Sequence, residues 1–327
     1  MRQLKLLLLS LCLCLPGLSF ALEKVRVGVL EFGTVNWELD VMQQHKLAEQ
    51  QGIALEIVPL ASADASTVAL QGGAVDVIVS DWVWVARQRA AEQDYTLFPY
   101  STAVGSLLAR PQANIKTLAD LKGKKLGVAG GANDKSWLFL QAYAKKTANL
   151  DLSQAANVQY AAPPLLNELM QQGELDAVLN FWHYAARLQV DGLQTVISMP
   201  QVLQGLGIQP DLPLIGWVFS EKWAKEHSAA AKGFLSASYA AKQLLKTDDN
   251  EWQRLRPRMK AENDQVFKAL REAYRAGIPA CFGEQQQQAA NTAFKILAET
   301  GGKALVGDLS SLPAGTFWQG FSLPICP

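Results

Sequence analysis

Leu70-Gln-Gly-Gly73-Ala-Val-Asp76-Val-Ile-Val-Ser80-Asp-Trp82-Val-Trp84-Val-Ala-Arg87 returns one hundred residues later as Met170-Gln-Gln-Gly173-Glu-Leu-Asp176-Ala-Val-Leu-Asn180-Phe-Trp182-His-Tyr184-Ala-Ala-Arg187. Each copy reads as a glycine turn, an acidic entry and a short apolar run of strand length. A small polar residue and two aromatics follow where the chain leaves the strand. Upstream, with a one-residue slip, Val27-Gly-Val29 to Trp37 echoes Leu126-Gly-Val128 to Trp137, and Trp37–Trp82 and Trp137–Trp182 are both separations of 45 residues. One supersecondary unit used twice predicts two similar lobes.

Around the repeat, apolar runs at 25–30, 54–60, 75–79, 126–129 and 177–179 read as strands separated by amphipathic stretches. That alternation predicts an α/β chain with largely parallel sheets. From Ser220 onward helix follows helix, at 224–245, 264–276 and 284–300, the last with a solvated glutamine run at 285–288, before a Gly/Pro-rich tail from Gly301. The expected fold is two doubly wound α/β lobes joined by a two-segment hinge, with a helical C-terminal region. Residues 22–104 and 217–327 form lobe 1, and 105–216 form lobe 2. The crossings fall near Ser101 to Pro111 and Ile208 to Phe219, where regular elements are interrupted.

Composition agrees with a globular chain of this size. With 327 residues, 30 Lys+Arg against 30 Asp+Glu, 49% hydrophobic and 18% charged residues, disorder, collagen and coiled coil are excluded, and two domains are favoured over one core. A nucleic-acid partner would require a basic excess or stripe, and neither is present.

The first residues read as an export signal: a basic start at Met1 to Lys5, an apolar run from Leu6 to Leu18 broken at Pro16-Gly17, and small residues Ser19 and Ala21 at a cleavage site. The run is too short to span a membrane. Leu11 before Cys12 and Leu13 before Cys14 are too bulky for lipid attachment. Cleavage after residue 21 would leave a periplasmic chain with two cysteines, Cys281 and Cys326, in a compartment that permits oxidation. Their disulfide would close a loop of 45 residues and constrain the unfolded chain by about 4 kcal/mol. Two unpaired thiols are the alternative.

In open parallel sheets, ligands gather outside the carboxyl ends of the strands. Trp37, Trp82, Trp137 and Trp182 all fall at such positions, so a cleft between the lobes is the expected site.

Three stretches carry a resemblance to a known family: Gly73-Ala-Val-Asp76-Val-Ile, Ile115-Lys-Thr-Leu-Ala-Asp-Leu-Lys-Gly-Lys-Lys-Leu-Gly-Val128 and Gly173-Glu-Leu-Asp176-Ala-Val178. From about Val25 to near Thr300 the chain resembles the periplasmic solute-binding proteins of ABC importers for sulfonates, taurine, nitrate and thiamine-precursor pyrimidines. The resemblance implies a type II two-lobe fold that closes on a small molecule and delivers it to a membrane permease without chemistry, acting as a monomer and without a cofactor. The sequence departs from the family at Ser80-Asp81-Trp82-Val83-Trp84, where many members have a Gly- or Pro-containing turn. It departs again after Trp182, where His183 and Tyr184 replace a common proline. The family's usual ligands are therefore not assumed.

Candidate ligand-binding residues follow from the strand ends. Trp82 and Trp182, one per lobe, form an expected aromatic clamp, with Trp37, Trp84 and Tyr184 as walls and Trp137 and Trp217 on rim or hinge. Taken singly, each tryptophan is as well explained as a core aromatic. Ser80, Asn180 and His183 add polar groups. Glu38, Asp40, Asp81 and Asp134 form an acidic mouth that favours an amine, an amidine-like heterocycle or a zwitterion over a simple anion, though about two of the four would merely cap helices. Gly130-Gly131, before a helix, leaves anion recognition open. Arg110 is placed to reach the cleft, whereas Arg87 and Arg187 read as surface residues.

Enzyme signatures are missing. No Gly-x-Gly-x-x-Gly, phosphate loop or Gly-x-Ser-x-Gly occurs, His45, His183 and His227 lie far apart, and no metal-ligand spacing exists. The Cys-rich motif of a pyrimidine-synthesising branch of this fold is absent. A ligand sensor reporting to a membrane receptor would need the same cleft. A neighbouring permease gene separates transport from sensing, and a turnover assay tests the remaining possibility, a periplasmic enzyme on this scaffold.

Overall fold

The computed structural model describes residues 21–208 and 211–323. The expected signal segment, Cys12, Cys14 and Cys326 lie outside the described residues, apart from Ala21 at the cleavage site.

Lobe 1 starts with β1 (Glu23–Leu30), α1 (Val35–Gln44), β2 (Ile53–Leu60), α2 (Ala63–Gln71), β3 (Val77–Asp81), α3 (Trp82–Ala90) and β4 (Tyr95–Ser101). The chain crosses and builds lobe 2 from β5 (Ser106–Ala109), β6 (Lys125–Ala129), α4 (Lys135–Ala148), α5 (Leu152–Ala155), β7 (Asn157–Ala161), α6 (Pro163–Gln172), β8 (Ala177–Asn180), α7 (Trp182–Val190), β9 (Gln194–Ser198) and α8 (Met199–Leu206). It returns through β10 (Ile215–Ser220). Five helices complete the described chain: α9 (Glu221–Glu226), α10 (Ser228–Thr247), α11 (Asp249–Met259), α12 (Asp264–Ala276) and α13 (Glu284–Val306).

The two five-stranded sheets run β2-β1-β3-β10-β4 and β7-β6-β8-β5-β9. In each, one strand opposes the rest: β10 is antiparallel to β3 and β4, and β5 to β8 and β9. The expectation of largely parallel sheets needs only this correction, and its cause is the hinge. A strand arriving from the other lobe enters at the cleft, where its neighbours end, so it must run against them. Ser106 pairs with Asn180, and Ile215 with Asp81, at those ends. At Gly105 the crossing chain passes so close that a Cβ would lie 1.8 Å from the Asn180 carbonyl oxygen.

The repeat has a packing cause. A Cβ on Gly28 would lie 2.8 Å from Leu60 and 3.1 Å from Ile78, and one on Gly127 would lie 2.7 Å from Leu175 and 2.8 Å from Leu166, so in each lobe the first strand is crowded by leucine and β-branched side chains at its glycine. The acidic entry also has one function in both copies. Asp76 accepts from the Arg26 backbone N–H at 2.8 Å, and Asp176 from that of Lys125 at 2.9 Å, pinning the neighbouring strand's start.

Several elements differ from expectation, among them α13, which runs on into the expected tail as far as Val306 across a kink at Gly302. The strand expected at 75–79 lies two residues later, so Ser80 and Asp81 end β3. The helix expected at 224–245 breaks at His227 into α9 and α10. β4, like β5, β7, β9 and β10, is not among the strands expected from the sequence, and it carries Pro99, which cannot donate to a ladder. It is tolerated opposite a register shift at Ile215/Gly216 on the sheet's last strand. The outer side of β4 is covered by the tail, where the Leu97 N–H donates to Thr316 O and the Trp318 N–H to Leu97 O, both at 2.9 Å. Helix α13 packs on both α3 and α4, and one hydrophobic core runs through it from lobe to lobe.

Candidate functional site

Three sets of contacts join lobe 1 to lobe 2 on the side where the strands β3 and β8 end. Asp81, ending β3, accepts an ion pair from Lys135 Nζ, the first residue of α4, at 2.7 Å. Arg187 of α7 pairs with Glu262 at 3.1 Å and donates to the Met259 carbonyl oxygen at 2.9 Å, reaching the loop before α12. The indole of Trp182 stands edge-on to Trp37, with ring centroids 6.0 Å apart, and packs near Tyr274 at 6.3 Å.

The acidic mouth is not free acid. Glu38 is fully buried, accepting from Ser238 Oγ at 2.5 Å and Tyr274 OH at 3.1 Å and pairing with Lys242 Nζ. Burial pulls the Lys242 pKa down against the opposing pull of Glu38. Asp40 pairs with Arg254 and, at 2.6 Å, with Arg258. Asp81 caps α3 through the Trp84 N–H at 2.9 Å as well as holding Lys135. Asp134 caps α4 through the Trp137 N–H at 3.2 Å, and burial raises its pKa to about 6 against the pull of Lys135 and backbone N–H groups. Burial lowers the Lys135 pKa, but Asp81 outweighs it and the ammonium is held above its ordinary value. Each of the four carboxylates has an internal partner, so the reading that an acid surplus selects a cation loses its basis.

The tryptophans also separate. Trp82 is 1% exposed, its Nε1–H donates to the Pro213 carbonyl oxygen at 3.1 Å, and its ring neighbour is Phe294 of α13 at 6.5 Å. Trp137 is buried in the same core, and Trp217 is buried in lobe 1 with its Nε1–H on Ser238 Oγ at 2.9 Å. These three are core side chains. Trp82 and Trp182 do not face each other: Trp182, partly exposed, meets Trp37, His183 and Tyr274 instead. Trp37 is buried on the lobe 1 side of that contact, and Trp84 packs on Tyr95 at 5.2 Å.

At the start of α7 the pattern differs from α3. Phe181 occupies the N-cap and supplies no side-chain acceptor. Asn180 is buried and satisfied, donating to Pro163 O and Asn167 Oδ1 and accepting from the Phe181 N–H. His183 is not satisfied: both ring nitrogens are buried without a hydrogen-bond partner. Burial, reinforced by Arg187, pulls its pKa down to about 3, so the ring is neutral at physiological pH, with one donor and one acceptor. Tyr184 lies against it, ring centroids 4.4 Å apart. Ser80 is half-buried in β3 beside Gly216.

Two arginine readings change. Arg110 pairs with Asp176 at 3.4 Å at the strand-entry end of lobe 2 and does not reach the cleft. Arg187, expected on the surface, bridges the lobes. Lys135, Glu262 and Tyr274 escaped sequence reasoning. Lys135 sits inside the quoted Gly130–Ser136 loop, but Glu262 and Tyr274 come from the C-terminal helices and carry no local signal. Among the described residues no group of His, Cys, Asp or Glu could hold a metal ion, and no helix is long and apolar enough to cross a membrane.

This architecture is the type II periplasmic binding protein fold. Residues 44–251 match the NMT1/THI5-like family, and the chain belongs to that family. Among solved structures it is similar to the alkanesulfonate-binding protein SsuA from Xanthomonas axonopodis pv. citri bound to MOPS, at 18% identity and TM-score 0.70, covering 90% of this chain and 98% of that one. The periplasmic aliphatic sulphonate binding protein SsuA from Escherichia coli is similar at 18% identity and TM-score 0.70, over 91% and 98% of the two chains. The desulfurization enzyme DSZB shares the fold at 12% identity and TM-score 0.56, over 90% and 97%. No curated protein sequence matches the chain.

Proposed function

We propose that the chain is a periplasmic solute-binding protein that captures a small, flat heteroaromatic ligand between its lobes and delivers it to the permease of an ABC importer. The observation that carries this reading is His183, whose two buried ring nitrogens have no protein partner beside the exposed edge of Trp182. Leaving such groups unpaired costs about 1–3 kcal/mol, and a ligand in the cleft supplies the missing partners. A neutral imidazole offers one donor and one acceptor, which matches the alternating edge of a nitrogen heterocycle, while the partly exposed Trp182 and Tyr184 supply faces and edges for stacking, with the buried Trp37 behind Trp182. The internal pairing of Glu38, Asp40, Asp81 and Asp134 turns the reading away from amines. Ser80, at the end of β3, stands on the lobe 1 side.

Lobe 1 comprises residues 22–104 and 217–327, and lobe 2 residues 105–216. Export follows removal of residues 1–21, and the mature chain acts as a monomer. Cys281 is disulfide-bonded, which supports a bridge to Cys326 that fastens the tail. Binding is favoured over catalysis because the cleft residues contain no paired nucleophile and base. DSZB shows that the scaffold can carry an enzyme, and turnover of the bound molecule is the outcome that would favour that reading.

The test is native mass spectrometry of protein purified from the periplasm, followed by calorimetric titration with the molecule released. His183→Ala should weaken its binding roughly tenfold, the equivalent of about 1.4 kcal/mol. Solution scattering should show compaction on binding, since only closure brings both rims onto one molecule. An unchanged radius at saturation, or wild-type affinity in His183→Ala, would reject the interlobe site.

A further inference from the structure

The cleft rim holds two carboxylates, Asp81 and Asp134, against two cations, Lys135 and Arg87, close enough that Arg87 disfavours the charged form of Lys135. Asp81 is the member that joins the lobes. One of its oxygens accepts from the Trp84 N–H at the start of α3, and the other holds Lys135 Nζ at 2.7 Å from across the cleft. Both side chains are mostly buried, at 19% and 27% exposure, so their attraction is only weakly screened. Lys135 sits on the first turn of α4 beside Gly130 and Gly131, where backbone dipoles and an ammonium together would otherwise receive an anion.

We propose that Asp81 is a specificity-determining residue, cancelling Lys135 across the cleft so that the site turns away sulfonates and carboxylates and keeps a neutral ring. This inference rests on the binding role proposed above and names the ligand class that role excludes. An incoming anion must displace a carboxylate already oriented by its helix-capping bond. It must then share the rim with that carboxylate unpaired, and two like charges in a partly dry cleft repel by more than in water. Specificity of this kind comes from the repulsive element as much as from the attractive one. The structure therefore differs in ligand chemistry from its neighbour that holds MOPS, a sulfonate, on the same fold.

Asp81→Asn isolates the charge, because the amide oxygen still accepts from the Trp84 N–H and keeps the α3 cap. The probes are MOPS and ethanesulfonate, titrated calorimetrically into refolded, ligand-free protein at low ionic strength. Wild type should bind them weakly, Asp81→Asn at least about tenfold tighter, and Asp81→Asn combined with Lys135→Gln should lose that gain. Lys135→Gln alone, which leaves Asp81 as an uncompensated negative charge, should bind sulfonates no better than wild type. Wild type binding as tightly as Asp81→Asn, or tighter sulfonate binding in Lys135→Gln, would overturn the proposal. Should Asp81→Asn fail to fold, Asp81→Ser, which keeps a side-chain oxygen for the Trp84 N–H, takes its place with the same expected gain. The two readings fail separately: a protein that neither retains a ligand nor closes argues against the binding role, whereas unchanged sulfonate affinity in a closing protein argues only against Asp81.

Discussion

The same unit, a short strand leading into a helix, is finished differently in the two lobes. After β3, Asp81 caps α3 and reaches Lys135, and Trp82 turns into the core onto Pro213 and Phe294. After β8, Phe181 holds the capping position without a side-chain acceptor, Trp182 stays partly exposed, and His183 keeps two buried nitrogens free. One position, aspartate in one copy and phenylalanine in the other, separates a sealed helix start from an open one. The repeated unit gives two equivalent strand–helix junctions, one capped by Asp81 and the other uncapped beside an unsatisfied His183.

Swapping the test between copies is the sharpest way to break this comparison. Trp82→Ala should lower stability by about 3–5 kcal/mol, because it removes a fully buried indole and orphans the Pro213 carbonyl, with little specific effect on ligand affinity. Trp182→Ala should cost far less stability and weaken ligand binding roughly tenfold. Chemical unfolding and calorimetry on both variants read the two quantities separately. Loss of binding in Trp82→Ala at unchanged stability would return that ring to the ligand and undo the contrast.

A smaller effect is expected at the acidic strand entries, where the lobes agree in design and differ in strength. Asp76 accepts from the Arg26 backbone N–H at 2.8 Å and from its guanidinium at 3.0 and 2.6 Å, while Asp176 holds the Lys125 N–H at 2.9 Å and Arg110 at 3.4 Å. Asp76→Ala should cost about 2–3 kcal/mol and Asp176→Ala about 1–1.5 kcal/mol, on the scale of hydrogen bonds to charged groups. Equal losses in the two urea midpoints would mean that the Arg26 fork adds nothing.

What was legible in the sequence was local or repeated. The offset of one hundred residues located β3 with α3 and β8 with α7, and α12 falls on Asp264–Ala276 as its periodicity indicates. Crossing strands were less visible, since β5 is four residues long and β4 carries Pro99. At the site, the residue types were legible and their partners were not. Glu38 meets Lys242 across 204 residues, and Arg187 meets Glu262 across 75, so a carboxylate that looks free in sequence is paired in space. The direction of Trp82 was equally hidden, because its core partner Phe294 arrives from a helix more than two hundred residues away.

The last contrast sets two helix starts of lobe 2 against each other by their response to acid, with a small net effect in the wild type. Asp134, on α4 of lobe 2, has its pKa raised to about 6, above its unfolded value, so the native state binds the extra proton between about pH 4 and 6. Its contribution therefore favours folding in acid and is lost as pH rises through that window. His183, on α7 of the same lobe, has its pKa lowered to about 3, so between about pH 3 and 6.5 the unfolded state binds the extra proton. Its contribution is present above that window and lost as pH falls through it. The slopes oppose each other, each at most about 1.4 kcal/mol per pH unit, and nearly cancel in the wild type between about pH 4 and 6. Asp134→Asn should uncover stability that rises with pH relative to wild type, and His183→Gln stability that falls. Urea unfolding of ligand-free protein at pH 4, 5 and 6 measures both. Parallel curves for wild type and His183→Gln would mean that the imidazole is solvated in the native cleft, and the ligand-facing role of α7 would lose its support.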